Sequence, residues 1–97
     1  MRTIVYFQTA RMDLEEIVAA TAENNPLSAR NLVKAIDAAV DLLAKSPSIG
    51  RRRRELGDSA YRCHRVGSYV LIYRYDEQHL CIVRIVQGGR DFRRSGR

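Results

Sequence analysis

The sequence predicts a small α+β domain in which a helix hairpin packs on one face of a mainly antiparallel sheet. Three observations support this prediction: a β-branched and aromatic start, two runs of apolar residues at helical spacing, and three short strands separated by polar turns. The predicted order of elements is β-α-α-β-β-β. A chain of 97 residues is expected to form a single domain over residues 1–97.

The first half of the chain predicts one strand followed by one helix. Residues 2–7 are β-branched and aromatic, as in a strand. Asp13 is followed three residues later by Glu16, which resembles a capping box and places the start of the first helix there. Apolar or small residues then recur at helical spacing as far as Asn24, namely Leu14, Ile17, Val18 and Thr21.

A second helix follows at once. Asn25 is a good N-cap, and Pro26 fits the first helical position, where its missing N–H is harmless. Pro47 and Gly50 end the helix. Because so few residues join the two helices, they should form an antiparallel hairpin. The apolar stripe of the second helix is Leu32, Val33, Ile36, Val40 and Leu43.

Residues 61–91 predict three strands joined by two turns. Gly67 and Ser68 form a two-residue turn with glycine first, as a type II′ turn requires. Residues 76–79 form a looser second turn. With these turn lengths, the expected cross-strand pairs are Val66 with Tyr69 and Tyr75 with Leu80.

Side chains alternate across a strand and paired residues share a face, so these pairs sort the strands into two faces. One face is apolar and should receive the helix hairpin: Cys63, Val70, Ile72, Cys81, Val83 and Ile85. The opposite face suits a groove for a partner segment or a nucleic acid: Arg62, His64, Tyr69, Leu71, Tyr73, Ile82, Arg84 and Val86. A register error of one residue would exchange the two sets.

The chain is basic, with 17 Lys and Arg against 11 Asp and Glu and a net charge of +6. Such a charge favours nucleic acid, an acidic protein or an anionic membrane surface as a partner. The four arginines at 51–54 are either a solvated loop or an anion-binding patch. No signal peptide is visible, and no apolar run approaches the roughly 20 residues that span a bilayer. We therefore expect a cytoplasmic protein without a membrane partner.

Few residues point to catalysis. Cys63 and Cys81 fit no metal-binding spacing and are interpreted as buried small hydrophobes, so neither a metal nor another cofactor is expected. His64 is either an ordinary surface or hydrogen-bonded histidine or a general acid–base for a phosphodiester. In the second case arginines would hold the phosphate charge and an aromatic ring would stack on a base. The residues for that chemistry are Arg62, His64, Tyr73 and Arg84. A Gly-rich phosphate loop and a nucleophile elbow are missing from the sequence.

The ordered set of motifs resembles the ParE branch of the RelE/ParE toxins of bacterial toxin–antitoxin pairs, over nearly the whole chain. The motifs are ARMDLEEI at 10–17, PSIGR at 47–51, ELG at 55–57, YR at 61–62, GSYVLIYR at 67–74, RIV at 84–86 and GRD at 89–91. The resemblance implies the fold described above and the function of a type II toxin. It also implies neutralisation by a ParD-like antitoxin, whose disordered and often acidic carboxy-terminal segment folds around the toxin.

The resemblance further implies that the target is DNA gyrase, and that operator DNA is contacted only through the antitoxin. ParE-like toxins are not known as nucleases, so an enzymatic activity is not the favoured interpretation. Two alternatives stay open: a RelE-like ribosome-dependent mRNA endoribonuclease, and a non-toxic co-repressor of its own operon. Many relatives carry a histidine where this chain has Gln87, and glutamine does not titrate near neutral pH, which weakens the ribonuclease interpretation.

Two sets of contact residues are expected. The residues expected to contact the target are Arg62, Tyr73, Arg84, Arg90 and Phe92. The residues expected to contact the antitoxin are Tyr69, Leu71, Ile82 and Arg84.

Overall fold

The predicted α+β fold is confirmed. A computed structural model describes residues 1–52 and 60–88, which form two helices and a five-stranded sheet. The elements are β1 (Thr3–Tyr6), α1 (Gln8–Asn24), α2 (Pro26–Lys45), a 3-10 turn (Pro47–Ile49), β2 (Arg51–Arg52), β3 (Arg62–Val66), β4 (Tyr69–Tyr75) and β5 (His79–Gln87). The strand order is β1-β5-β4-β3-β2, in which β1 runs parallel to β5 and the other neighbours are antiparallel. The two-residue strand β2 was not predicted.

Helix α1 begins earlier than its sequence predicted. It starts at Gln8, directly after β1, so the prediction that Asp13 caps it is wrong. The helix start is instead fastened to β5: the Phe7 N–H donates to the Ile82 carbonyl at 3.0 Å, and the Thr9 hydroxyl donates to the Val83 carbonyl at 2.7 Å. Phe7 supplies no side-chain cap, so the start of the helix is fixed by these long-range hydrogen bonds, which leave no local signal in the sequence.

Helix α2 follows its sequence signals closely. The Asn25 side chain accepts a hydrogen bond from the Ser28 N–H at 3.1 Å, with Pro26 in the first turn. The helix ends at Lys45, shortly before Pro47. Within residues 1–52 and 60–88, no helix is long and apolar enough to cross a membrane.

The predicted turn and strand pairing are confirmed. Gly67 has φ of +60°, and no non-glycine residue in the described ranges has a positive φ, so Gly67 and Ser68 form a type II′ turn. Val66 pairs with Tyr69, and Tyr75 pairs with Leu80, as the turn lengths required.

The prediction of which sheet face receives the helices is wrong. The helices pack on the face that carries Leu71, Tyr73 and Ile82, whose side chains are all 0% exposed. Cys63 and Val70, predicted to face the helices, are buried but lie outside the main core cluster. Both faces of β4 carry large apolar side chains, so alternation alone could not select the packed face.

A β-bulge adds a second change. Ile72 pairs with Arg84 but Tyr73 pairs with Ile82, which leaves Val83 as an extra residue in β5. The bulge reverses the alternation beyond it, so Ile85 joins the helix-packed face at 2% exposed. A sequence shows no reliable sign of an inserted residue within a regular strand.

The core cluster predicts the result of truncating helix α2. Ile36 is 1% exposed, so we expect Ile36→Ala to lower the free energy of unfolding by about 2–5 kcal/mol. Leu42 lies on the same helix at 47% exposed, so Leu42→Ala should cost less than about 1 kcal/mol. Urea unfolding of both variants checks the packing, and equal losses would contradict the assigned core face.

Candidate functional site

The four residues proposed for phosphodiester chemistry do not form one site. Arg62 lies on β3 directly opposite Tyr73 of β4, and His64 follows two residues later on the same face of β3. Arg84 lies on β5 beyond the bulge, where Asp13 of α1 holds its guanidinium. His64 is half-buried and pairs with Leu71. Arg84 would therefore have to leave its carboxylate partner before it could join the other three residues around a phosphate.

Tyr73 is a buried link between the sheet and the segment that follows α2. Its hydroxyl donates to the Pro47 carbonyl at 2.5 Å and accepts from the Gly50 N–H at 3.0 Å. Burial raises the pKa of Tyr73 to about 12, although the Gly50 hydrogen bond and the Arg62 charge act in the opposite direction. The prediction that this ring lies on an open face, ready to stack on a base, is wrong because its side chain is 0% exposed.

Arg62 supports the same segment from β3. Its Nη1 donates to the Gly50 carbonyl at 2.7 Å and to the Ser48 carbonyl at 3.3 Å. Its guanidinium carbon lies 5.8 Å from the centroid of the Tyr75 ring, within the range of a cation–π contact. Arg62 is therefore partly a structural residue, and it keeps N–H groups that point away from these two carbonyls.

Arg84 forms a bidentate ion pair with Asp13 across the junction of β5 and α1. The Arg84 Nε lies 2.7 Å from Asp13 Oδ2 and its Nη2 lies 3.0 Å from Oδ1. Oδ2 also accepts the Ile85 N–H at 2.9 Å. Burial alone would raise the pKa of Asp13, but these hydrogen bonds and the Arg84 charge hold it below its ordinary value, and the same pairing raises the pKa of Arg84. The sequence analysis missed this role because 71 positions separate the two residues.

The Arg84–Asp13 pair borders a groove between α1 and β5. The groove has a volume of about 480 Å³ and an open, mixed polar and apolar lining, which includes Asp13, Glu16, Ile17, Tyr69, Arg84 and Gln87. Two of the four expected antitoxin contacts, Tyr69 and Arg84, lie here. The other two, Leu71 and Ile82, are 0% exposed, so the prediction that they face a partner is corrected: they are core residues.

Two predicted target contacts and one further arginine remain to be described. Arg90 and Phe92, expected to contact the target, lie outside the described residues. Arg74, which the sequence analysis did not select, lies 5.4 Å from the Phe7 ring centroid and 5.8 Å from that of Tyr61. Within residues 1–52 and 60–88, no group of three or more His, Cys, Asp and Glu side chains is arranged to hold a metal ion.

The contact between Tyr73 and Gly50 predicts an energetic coupling. A Cβ at position 50 would overlap the Tyr73 hydroxyl oxygen, so Gly50→Ala should cost about 1–3 kcal/mol. Tyr73→Phe leaves the Gly50 N–H and the Pro47 carbonyl without their partner, at a similar cost. We expect the double variant to lose less than the sum, because the phenylalanine relieves part of the overlap. If the double variant loses as much unfolding free energy as the two single variants together, the contact between Tyr73 and Gly50 is contradicted.

The Asp13 pair predicts a pH dependence of stability. The pKa of Asp13 is lower in the folded protein, so its contribution is present above the unfolded pKa, near pH 4, and is lost as pH falls through the folded pKa. Asp13→Asn should cost about 1 kcal/mol at neutral pH, since Arg84 is half-exposed, and the difference from the wild type should disappear in acid. Urea unfolding across this range checks the trend, with Glu23→Gln at the exposed end of α1 as the control. A difference that persists at the lowest pH would contradict the charge assignment.

Comparisons with known proteins agree with this architecture. The P. aeruginosa chromosomal ParDE toxin–antitoxin system superimposes with a TM-score of 0.75 at 20% identity, over 92% of this chain and 98% of that chain. The RelBE2 toxin–antitoxin complex from Mycobacterium tuberculosis superimposes with a TM-score of 0.60 at 28% identity, over 89% of this chain and 96% of that chain. No curated protein matches the sequence significantly.

The family assignment rests on the sequence as a whole. The profile of the family described as the ParE toxin of the type II toxin–antitoxin system, parDE, matches residues 4–92. The match includes both helices and all five strands apart from the first residue of β1. The resemblance drawn from the sequence motifs is confirmed, and the chain belongs to the ParE family of type II toxin–antitoxin toxins.

Proposed function

We propose that this ParE toxin inhibits DNA gyrase in the cytoplasm by binding to it, and that a ParD-like antitoxin neutralises it. The observation that carries the choice of a binding mechanism is that the Tyr73 ring is buried and that Asp13 holds the Arg84 guanidinium. A nuclease needs its acid–base group and its phosphate-holding cations around one reacting phosphate. Here Tyr73 is buried, Arg84 is paired with the Asp13 carboxylate, and Arg62 donates to the Ser48 and Gly50 carbonyls.

Gln87 gives independent support. It is the last residue of β5 and lines the groove beside Arg84, where many relatives have a histidine. A glutamine amide neither accepts nor releases a proton near neutral pH, so the side chain of Gln87 cannot serve as a general acid or base. The position fits a contact surface better than a cleavage site.

The groove between α1 and β5 is the proposed antitoxin site. It combines an apolar side chain, Ile17, with a half-buried ring, Tyr69, and a half-exposed cation, Arg84. A disordered segment with acidic and apolar residues would find both kinds of contact there as it folds. The net charge of +6 would speed its approach at low salt. In this arrangement the antitoxin reads operator DNA, and the toxin reaches the operator only through the antitoxin.

The proposed gyrase contacts are Arg62 and Arg84 among the described residues, together with Arg90 and Phe92. Arg84 is the best single probe, since its side chain is 49% exposed and Asp13 is the one carboxylate within residues 1–52 and 60–88 that pairs with it. Losing a half-exposed ion pair costs about 1 kcal/mol or less, so Arg84→Ala should remain folded. Arg30→Ala, on the exposed surface of α2, is the matched control because it removes the same charge.

The deciding experiment is a supercoiling assay with purified gyrase, ATP, relaxed plasmid and toxin, with and without the antitoxin. We expect loss of supercoiling and linear, protein-linked DNA, both reversed by the antitoxin. Arg84→Ala should lose this activity while its circular dichroism is retained, and Arg30→Ala should keep it. Normal supercoiling by a folded toxin that binds its antitoxin would reject gyrase as the target. Cleavage of mRNA on ribosomes by that same preparation would then establish the RelE-like alternative.

A further inference from the structure

One end of the sheet carries a row of arginines that the groove and the Arg84 pair do not involve. Arg2 precedes β1, Arg62 begins β3, and Arg52 lies on β2 directly opposite Arg62. This end of the sheet lies beside the last turn of α2, where the Arg2 N–H donates to the Ala44 carbonyl at 3.2 Å. We call Arg2, Arg52, Arg62 and the ring of Tyr75 between them the arginine edge.

Two members of the arginine edge, Arg2 and Arg62, are held in place by neutral carbonyl groups. Arg2 Nε donates to the Asp76 carbonyl at 2.6 Å, and Arg62 Nη1 donates to the Gly50 and Ser48 carbonyls. A carbonyl fixes the direction of a guanidinium group without cancelling its charge. Within residues 1–52 and 60–88, no carboxylate forms an ion pair with Arg2, Arg52 or Arg62. The nearby Asp76 carboxylate instead accepts the Gln78 and His79 N–H groups of its own turn.

Arg84 shows the contrast within the same sheet. It has a bidentate carboxylate partner, which offsets its charge. The arginine edge instead concentrates cations, and Arg52 and Arg62 even occupy directly opposed positions, an arrangement that repels. Each guanidinium has five N–H donors, and the carbonyl contacts use only one nitrogen of each anchored arginine. Oriented cations with donors to spare are suited to phosphate oxygens.

The contacts of the Tyr75 ring favour duplex over single-stranded nucleic acid as the ligand of the arginine edge. The guanidinium carbon of Arg2 lies 5.3 Å from its centroid and that of Arg62 lies 5.8 Å away, so two cations already lie over the ring. Single-strand binding depends on rings that are free to stack on bases. A ring engaged by two arginines is not such a platform, whereas a duplex offers only its backbone and needs no stacking.

The span of the row also fits a rigid ligand. Five adjacent strands are separated by four inter-strand distances of about 4.8 Å each. The row from β1 to β2 therefore extends about 19 Å. That length corresponds to the rise of roughly five to six base pairs along one DNA strand. Fixed cations on a sheet match the fixed charges of a duplex without the ordering cost that a disordered acidic segment would bring.

We propose that the arginine edge binds the phosphate backbone of duplex DNA without reading its sequence. This contact is separate from operator recognition, which belongs to the antitoxin. A role for this DNA contact in holding DNA near gyrase rests on the proposed function. DNA binding by the isolated toxin is independent of that function.

The test is fluorescence anisotropy of the isolated toxin with a random duplex of about 20 base pairs, titrated between about 50 and 200 mM salt. The variant is Arg2→Gln/Arg52→Gln. Its control is Arg11→Gln/Arg30→Gln, which removes the same charge from the first turn of α1 and from a point on α2 about 21 Å from Ala44. We expect the variant to bind more weakly, with a log Kd against log salt slope reduced by about 1.8, or about 0.9 for each lost phosphate contact. The control should keep the slope of the wild type.

Other results would overturn the proposal. Equal weakening by both double variants would mean that net charge alone attracts DNA. Tighter binding to single-stranded DNA than to the duplex would reject the duplex assignment. If polyglutamate competes for the toxin as well as DNA of the same total charge does, the surface would be assigned to an acidic protein. Arg52→Gln alone serves if the Arg2 change unfolds the protein, because Arg52 is exposed and should still reduce the slope by about 0.9. The DNA-binding assay contains no gyrase. A negative result in it would therefore leave the outcome of the supercoiling experiment unaffected.

Discussion

The hydroxyl group of Tyr73 connects the sheet to the segment that follows α2, and Arg62 supports the same segment from β3. It lies at the centre of the sheet and hydrogen-bonds to both ends of the short segment after α2, at Pro47 and Gly50. The segment in turn leads into β2, which pairs with β3 and places Arg52 opposite Arg62. Buried polar groups are costly when unpaired, so this one hydroxyl fixes where the chain leaves α2 and where the sheet gains its last strand.

The sequence was sufficient wherever structure is decided by neighbours along the chain. The Asn25 cap, the type II′ turn at Gly67 and the pairing of Val66 with Tyr69 all depend on a few adjacent residues, and all were predicted correctly. The start of α1 and the extra residue at Val83 depend on contacts between distant segments. Such contacts leave no local signal, and this is why the helix start and the packed face of the sheet were misjudged.

The candidate site shows the same division in chemical terms. Arginine and tyrosine were expected to matter in β3 to β5, but the sequence could not separate a cation neutralised by a carboxylate from one oriented by carbonyls. Arg84 belongs to the first kind and Arg62 to the second. Tyr73 and Tyr75 are similar in sequence context, yet one is a buried hydrogen-bonding residue and the other lies beneath two arginines. These distinctions come from three-dimensional neighbours, and they separate structural residues from candidate contact residues.

The parallel pairing of β1 with β5 has a consequence for how the toxin is made. Thr3 pairs with His79 and Tyr6 pairs with Ile82, so the first strand to be synthesised must wait for the last before it has a partner. Helices α1 and α2 can form early, but their packing surface on β4 and β5 appears only after those strands have been synthesised. The nascent chain therefore cannot complete its sheet until β5 has left the ribosome, and the groove between α1 and β5 forms only after that strand.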